Sequence, residues 1–325
     1  MLLAATAAAA LAFAVDVRPQ HLTPGAPLRI TVTAPPTAAA PGTPAPPAAT
    51  PDAAPSLAAA PPSGRLFHRA LTFLPSPDGS GWVAFTGVDL DVRPGMHPLT
   101  IDLSPPEGGR LSRTLELKVE PKKYPTEKLS VEPKYVEPPP DVAQRIARES
   151  ADLQALWVID SAEMLFDGRV TMPVPGVEGR NFGRRRVFNG QARSPHSGLD
   201  LSAPEGTPVR AAAAGRVVLT GDHYFSGKLV VIDHGGGIYT AYAHLSAIEA
   251  TSDARVEAGQ TIGRVGATGR VTGAHLHWGA RVGGARVDPA ALLELLKPGP
   301  ASAAGGTTRG GPIHGRSMSP AGNPG

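Results

Sequence analysis

The chain contains no cysteine, which removes disulfides, thiolate metal sites and a cysteine nucleophile together, and leaves any metal to histidine and carboxylate ligands. Aromatic residues make up only 5%, and neither sign of charge dominates: 31 Lys and Arg face 28 Asp and Glu, too even a balance for a nucleic-acid binder. Beyond the N-terminus, no stretch approaches the ~20 apolar residues of a membrane-spanning helix, so no span is expected in the mature chain. What is plentiful is glycine and proline, 38 and 36 of 325 residues, beside 41% hydrophobic residues. That mixture fits packed regions joined by long loops, and the length suits two small domains with linkers.

The apolar run that opens the chain ends in Ala12-Phe13-Ala14, a small-x-small pattern of the kind signal peptidase cuts, although no Lys or Arg precedes it. Residues 1–14 are expected to be an export signal, placing the protein in the periplasm or at the cell wall. After it, Leu28, Ile30 and Val32 alternate with polar residues, as do Leu99, Ile101 and Leu103, then Leu115, Leu117 and Val119. Period two predicts half-buried strands, and turns such as Pro24-Gly25 and Pro94-Gly95 separate them. Residues 15–120 therefore read as a small N-terminal β domain, sandwich-like, interrupted by an Ala/Pro-rich insertion at 34–64 with no apolar period, expected to be disordered.

Residues 121–169 read as a connector. Its first part is rich in Lys, Glu and Pro; Asp141 then caps a predicted helix over 141–157, with Val142, Ile146, Leu153 and Leu156 at helical spacing. From 170 to 297 short apolar strands alternate with glycines, predicting an antiparallel β domain, and 298–325 reads as a disordered tail. The predicted fold is mostly β.

Six of the ten histidines lie between His196 and His277, in tight patterns: His196-Ser-Gly-Leu-Asp200 and His275-Leu-His277. On a strand, positions two apart share a face, so His275 and His277 point into one site, as do His196 and Asp200. In Ile238, Thr240, Tyr242 and His244 the same parity predicts a third contribution. Two histidines and a carboxylate form a catalytic zinc set that leaves a position for water, and the remaining histidines suit a base and an oxyanion stabiliser. Spacing does not decide which three bind the metal: His244 and His275 qualify as well as His277. Asn189 and Arg193, just before His196, are candidate substrate contacts, though an Asn189-Gly190 turn explains the asparagine equally well. Arg184, Arg185 and Arg186 read as a solvated basic face, with attraction of substrate carboxylates as the functional alternative. His223 and His234 read as hydrogen-bonded core or loop histidines, and His21, His68, His97 and His314 as surface residues.

The stretch Asn189 to Asp200, then Ala203 to Val209, Tyr242-Ala-His244-Leu245, and Gly269 to Gly279 with His275-Leu-His277 resembles the lysostaphin-type (LytM-like) zinc endopeptidases over residues 170–296. The resemblance implies a peptidase domain of the duplicated hybrid motif type. It implies Zn2+ held by His196, Asp200 and His277, a catalytic pair His244 and His275, and peptidoglycan stem peptides cut by metal-activated water. The family includes enzymes for glycyl-glycine bridges and for direct cross-links between D-Ala and a diamino acid; export without a wall-binding repeat favours the second. The front half is similar to the β domain preceding the peptidase in many periplasmic members, which implies that it positions or occludes the groove.

Two other classes are weighed against this. Gly206 to Val218 and Val256 to Gly263 also resemble biotinyl and lipoyl carrier domains, but a carrier needs a lysine at an exposed hairpin tip flanked by Met, and no Met-Lys pair is present. A non-catalytic cell-wall scaffold that activates another hydrolase would be marked by lost ligands, and every family position is filled.

Overall fold

The computed structural model describes residues 13–33, 60–104, 109–158, 161 and 163–297. The export run at 1–12, the insertion over 34–59 and the tail at 298–325 lie outside them. Phe13 is buried in the front core and Ala14 opens the first strand, so the folded front half already begins inside the segment expected to be a signal.

The front half carries β1 (Ala14–Arg18), β2 (Pro27–Thr33), β3 (Ser63–Leu66), β4 (Arg69–Leu71), β5 (Leu74–Pro75), β6 (Gly81–Gly87), β7 (Gly95–Leu103) and β8 (Leu111–Val119). They pair as two sheets, β1-β2-β6-β5 and β4-β3-β7-β8. The alternating apolar residues explain why these sheets stack: Leu28, Ile30 and Val32 of β2 and Leu99, Ile101 and Leu103 of β7 bury their side chains in one core. Leu115 and Leu117 are only half-buried because β8 is an edge strand. Strand β3 starts at Ser63, so the expected insertion ends earlier than Gly64. A Cβ on Gly64 would stand 2.8 Å from Ile101 Cδ1, which is why a glycine occurs in this strand.

The connector is more structured than its Pro-rich composition predicts. Strand β9 (Thr126–Leu129) leaves the front half and joins the back half, followed by 3-10 turns at Pro133–Tyr135 and Pro140–Val142 and by helix α1 (Ala143–Leu156). The expected cap at Asp141 is not formed: Asp141 sits inside the second 3-10 turn, and α1 starts after Val142 without a side-chain cap. Three prolines in succession, Pro138 to Pro140, displace the chain's extended-to-helical switch to Pro140 and leave Asp141 one step too late to cap.

The back half holds β10 (Arg185–Phe188), β11 (Gln191–Arg193), β12 (Gly198–Leu201), β13 (Pro208–Arg210), β14 (Gly215–His223), β15 (Gly227–Asp233), β16 (Ile238–Leu245), β17 (Ala247–Ile248), β18 (Arg255–Val256), β19 (Thr261–Arg264), β20 (Leu276–Val282), β21 (Ala285–Val287) and α2 (Pro289–Leu296). The main sheet runs β12-β20-β16-β15-β14-β18, with β21 paired to β20, and all its ladders are antiparallel. One face, with Val217, Val230, Ile232, Tyr242, Leu276 and Trp278, packs with Val209 of β13 and Ile262 of β19 in the main core. The opposite face carries Leu229, Val231, Tyr239 and Ala243, on which Leu153, Leu156 and Trp157 pack. Helix α1 therefore lies on one end of an otherwise open sheet face.

The two halves share a core. Every residue of β6 is buried, because Trp82 and Ala84 face the front sandwich while Val83 and Phe85 pack with Val282, Val287 and Leu292 of the back half.

Candidate functional site

The histidines and Asp200 gather on the open face of the main sheet. Pairing of β12 with β20 sets Asp200 opposite His277, and their side chains meet with Nδ1 of His277 2.8 Å from Oδ1 of Asp200. His196, just before β12, brings Nε2 to 3.0 Å from the same oxygen and 2.9 Å from His277 Nδ1. These three donor atoms form a group that can hold a metal ion. Gly198 makes the convergence sterically possible: a Cβ there would lie 2.5 Å from Trp278 O and 2.8 Å from the His277 ring.

The sequence reading of His275 and His277 as flanking a core leucine holds, with Leu276 fully buried between them, although His275 stands just before β20 and bridges to Gly266. The parity reading of His244 does not hold. Thr240 and Tyr242 point into the core, where Tyr242 Oη accepts from Ala212 N at 2.8 Å, and strict alternation would send His244 after them. Instead the β15–β16 register shifts opposite Leu229 and His244 takes φ 64°, a bulge that turns its ring out to 5.0 Å from His275 and 5.9 Å from His277.

Hydrogen bonds fix the ring nitrogens. His196 donates from Nδ1 to Asn181 O (3.0 Å), His244 from Nδ1 to Thr268 O (2.8 Å) and His275 from Nδ1 to Gly273 O (2.8 Å), so each keeps an Nε2 lone pair. Burial pushes His196 down to about 4 and His244 down to about 3, the latter helped by His277 and His275, so both are neutral at pH 7. Asp200 is held far below the usual carboxylate range: burial works against this, and the close approach of His196 and His277 to its Oδ1 outweighs it.

Three further residues stand at or beside this cluster, and of them the sequence singled out only Arg186, as part of the arginine run. Asn181 donates from Nδ2 to Asp200 Oδ2 (2.9 Å) and accepts the Asp200 amide on Oδ1 (2.9 Å). Arg186 donates to the same Oδ2 at 2.9 Å and lies 3.8 Å from Glu127, which corrects the reading of the arginine run as a solvated face. Arg270, from the glycine-flanked loop before His275, enters a cavity beside the cluster. Of the two expected substrate contacts, Arg193 lines that cavity. Asn189 does not: at φ 48° it makes the β10–β11 turn with Gly190, and its side-chain amide clamps Val131 of the connector through both its O (3.0 Å) and N (2.9 Å). His234 is a fully buried structural histidine, bonded to Ala214 O and Thr240 Oγ1.

The order of motifs and this geometry agree with comparisons to known proteins. Residues 194–289 match the model for peptidase family M23. The "DD-carboxypeptidase/endopeptidase Mpg" of Neisseria meningitidis is 46% identical over 97 residues, 30% of this chain and 22% of that protein. The "Peptidoglycan DD-endopeptidase ShyA" of Vibrio cholerae is 46% identical over 99 residues, 30% of this chain and 23% of that protein. The matched segment thus spans under a quarter of these relatives' length. A crystal structure described as a peptidase M23 from Pseudomonas aeruginosa is 33% identical and superposes with a TM-score of 0.57, covering 72% of this chain and 88% of that one. With the likeness to that structure running through both halves, and the His/Asp motifs inside the matched region, this chain belongs to peptidase family M23.

Proposed function

We propose that the protein is an exported zinc endopeptidase that hydrolyses peptide cross-links of bacterial peptidoglycan, with His196 Nε2, Asp200 Oδ1 and His277 Nδ1 as metal ligands. The observation that carries this reading is the convergence of three metal-donor atoms at 2.8 to 3.0 Å from one another. Tetrahedral zinc with bonds of about 2.0–2.1 Å sets its ligands roughly 3.3 Å apart, so a small outward shift of each side chain accommodates the ion. Zinc bound there supplies Lewis acidity to the scissile carbonyl and to water.

The chain's own residues do the remaining work. His244 and His275, each tied at Nδ1 to a carbonyl, present Nε2 to the reacting atoms; one takes the proton of the attacking water and passes it to the departing nitrogen, while the other is placed to donate to the developing oxyanion after taking up a proton from solvent. Asn181 and Arg186 hold the second oxygen of Asp200, so the first stays aimed at the ligand position. The names of the relatives support a DD cross-link as substrate.

The test is digestion of purified sacculi by the zinc-loaded protein, with a chelated control and the His275→Ala variant, and mass analysis of the released muropeptides. New fragments are expected only from the active form. His275→Ala keeps the metal but loses turnover, whereas Asp200→Ala loses both; full zinc occupancy in Asp200→Ala overturns the ligand assignment. A non-catalytic scaffold is the second reading, favoured by α1 lying over the open sheet face. Fragments from any form of the protein exclude it.

A further inference from the structure

Beside the ligand cluster lies a cavity of about 290 Å³ whose walls include Arg193, Arg270, Phe188 and Phe225 together with His244 and His277. Its charges do not balance. Arg186, at one edge, is answered by Asp200 and Glu127. Arg193 spends its guanidinium on the carbonyl of Val136 and on Gln191 (both 2.7 Å) and meets no carboxylate among the described residues. Arg270 has neither an ion-pair partner nor a side-chain hydrogen bond among them. Its guanidinium instead lies between two rings, 4.8 Å from the centre of Phe188 and 4.7 Å from that of Phe225.

Such a cation is costly to leave unanswered. Burial, with Arg186 and Arg193 nearby, pushes Arg270 down to about 10, yet it stays charged at neutral pH. The aromatic slot immobilises the planar fork while leaving its donors unspent, the arrangement that favours a bidentate carboxylate. The loop is also fixed. Arg270 N donates to Phe225 O at 2.9 Å, and Gly269 abuts Gly227 so closely that a Cβ would lie 2.3 Å from Gly227 N. The same loop supplies Thr268 O, which orients His244. Arg270 and a catalytic histidine are therefore positioned as one unit.

We infer that Arg270, assisted by Arg193, binds a free carboxylate on the carbon next to the scissile nitrogen, and so selects peptide bonds whose leaving residue carries one. The inference rests on the peptidase reading above and names the substrate class of that same site. The carboxyl of the acyl-side residue is consumed in the bond being cut, so a carboxylate this close to His244 and His277 belongs to the residue on the nitrogen side. That carboxylate is free where the leaving residue is the chain end, or where it is a diamino dicarboxylic acid joined through the amine whose own carbon bears the second carboxyl. In a glycine bridge it is consumed by the next peptide bond.

The experiment uses the full zinc-loaded chain and two synthetic cross-linked peptides with a D-alanyl–diamino acid bond, identical except that the carboxylate next to the scissile nitrogen is free in one and a carboxamide in the other. A site built around a charged hydrogen bond rejects the analogue lacking it, so kcat/KM is expected to favour the free carboxylate by about 10- to 100-fold. In Arg270→Gln the ratio is expected to fall to about one, and in Arg270→Lys, which keeps the cation in its slot, to lie between. Equal cleavage of both peptides by the native protein, or a preference that survives Arg270→Gln, overturns the proposal. Calorimetric titration of both peptides into His275→Ala, with and without Arg270→Gln, separates binding from turnover. If neither peptide is cleaved, the peptidase reading fails. The carboxylate site then stands on a binding preference abolished by Arg270→Gln, and equal affinities remove it.

Discussion

Asp200 uses its two oxygens for different tasks. Oδ1 faces His196 and His277, whereas Oδ2 receives Asn181 and Arg186. Because Asn181 also receives the His196 ring on its carbonyl and the Asp200 amide on Oδ1, it orients two of the proposed ligands from one position. Asn181→Ala is expected to weaken zinc binding by about 10- to 100-fold, read by competition with a chromophoric chelator. Unaltered affinity would mean that Arg186 alone orients Asp200. At this scale the sequence is legible where the signal is short. His196, Asp200, His275 and His277 sit in local motifs, and the fold brings all four together. Asn181 and Arg186 reach Asp200 from 19 and 14 residues away with no period to announce them. His244 reaches the cluster although strict alternation sends it into the core, since the bulge that turns it outward leaves no mark in an alternating pattern.

Among elements, α1 is the one whose placement bears on access. Its Leu153 and the Trp157 that caps its C-terminus border a small cavity on the open face together with His277, Gly279 and Ala243. A peptide extending from the His/Asp cluster along that face of the sheet meets the helix. Trp157 holds α1 there by an edge-on contact with Tyr239, 5.6 Å between ring centres, and by the Arg281 guanidinium 5.4 Å from its ring. Such an aromatic pair and cation–π contact together contribute about 1 to 2.5 kcal/mol. Trp157→Ala should therefore enlarge the uncovered population, and the rate on a small soluble cross-linked peptide, by roughly 5- to 50-fold if coverage limits entry. An unchanged rate shows that substrate reaches the cluster past the helix. The apolar spacing of α1 was readable from the sequence; the surface it packs on was not, because periodicity fixes a face and says nothing of the partner.

Across the molecule, the halves are joined by the shared β6 core and by Asp89 with Arg286. Asp89 accepts from the Arg286 amide (2.8 Å) and Nε (3.1 Å) and from its Nη2. Burial alone would raise the Asp89 carboxyl, but the Arg286 hydrogen bonds prevail and bring it down to about 2. A carboxylate depressed on folding stabilises fully above its unfolded value of about 3.9, and that contribution is lost as pH falls toward 2. Asp89→Asn is thus expected to cost roughly 1 to 2 kcal/mol at pH 7, a drop of a few degrees in Tm, and only a few tenths of a kcal/mol at pH 2. A difference that persists undiminished at pH 2 would assign the loss to packing instead. The mostly β architecture was legible from alternation. The junction was not, because a strand buried on both faces, as β6 is, has no alternation to read.

Strand β9 pairs in parallel with β10, Thr126 opposite Arg185 and Leu129 opposite Phe188, although 55 residues and a helix separate them in the chain. The wall bearing Arg186, Phe188 and Arg193 is therefore braced by a strand that arrives from the front half. A cassette excised at residue 194, where the family match begins, would carry all three proposed ligands together with His244 and His275. It would leave behind Asn181, Arg186 and the brace, so grafting this chemistry onto another scaffold requires transplanting the chain from before Thr126 onward.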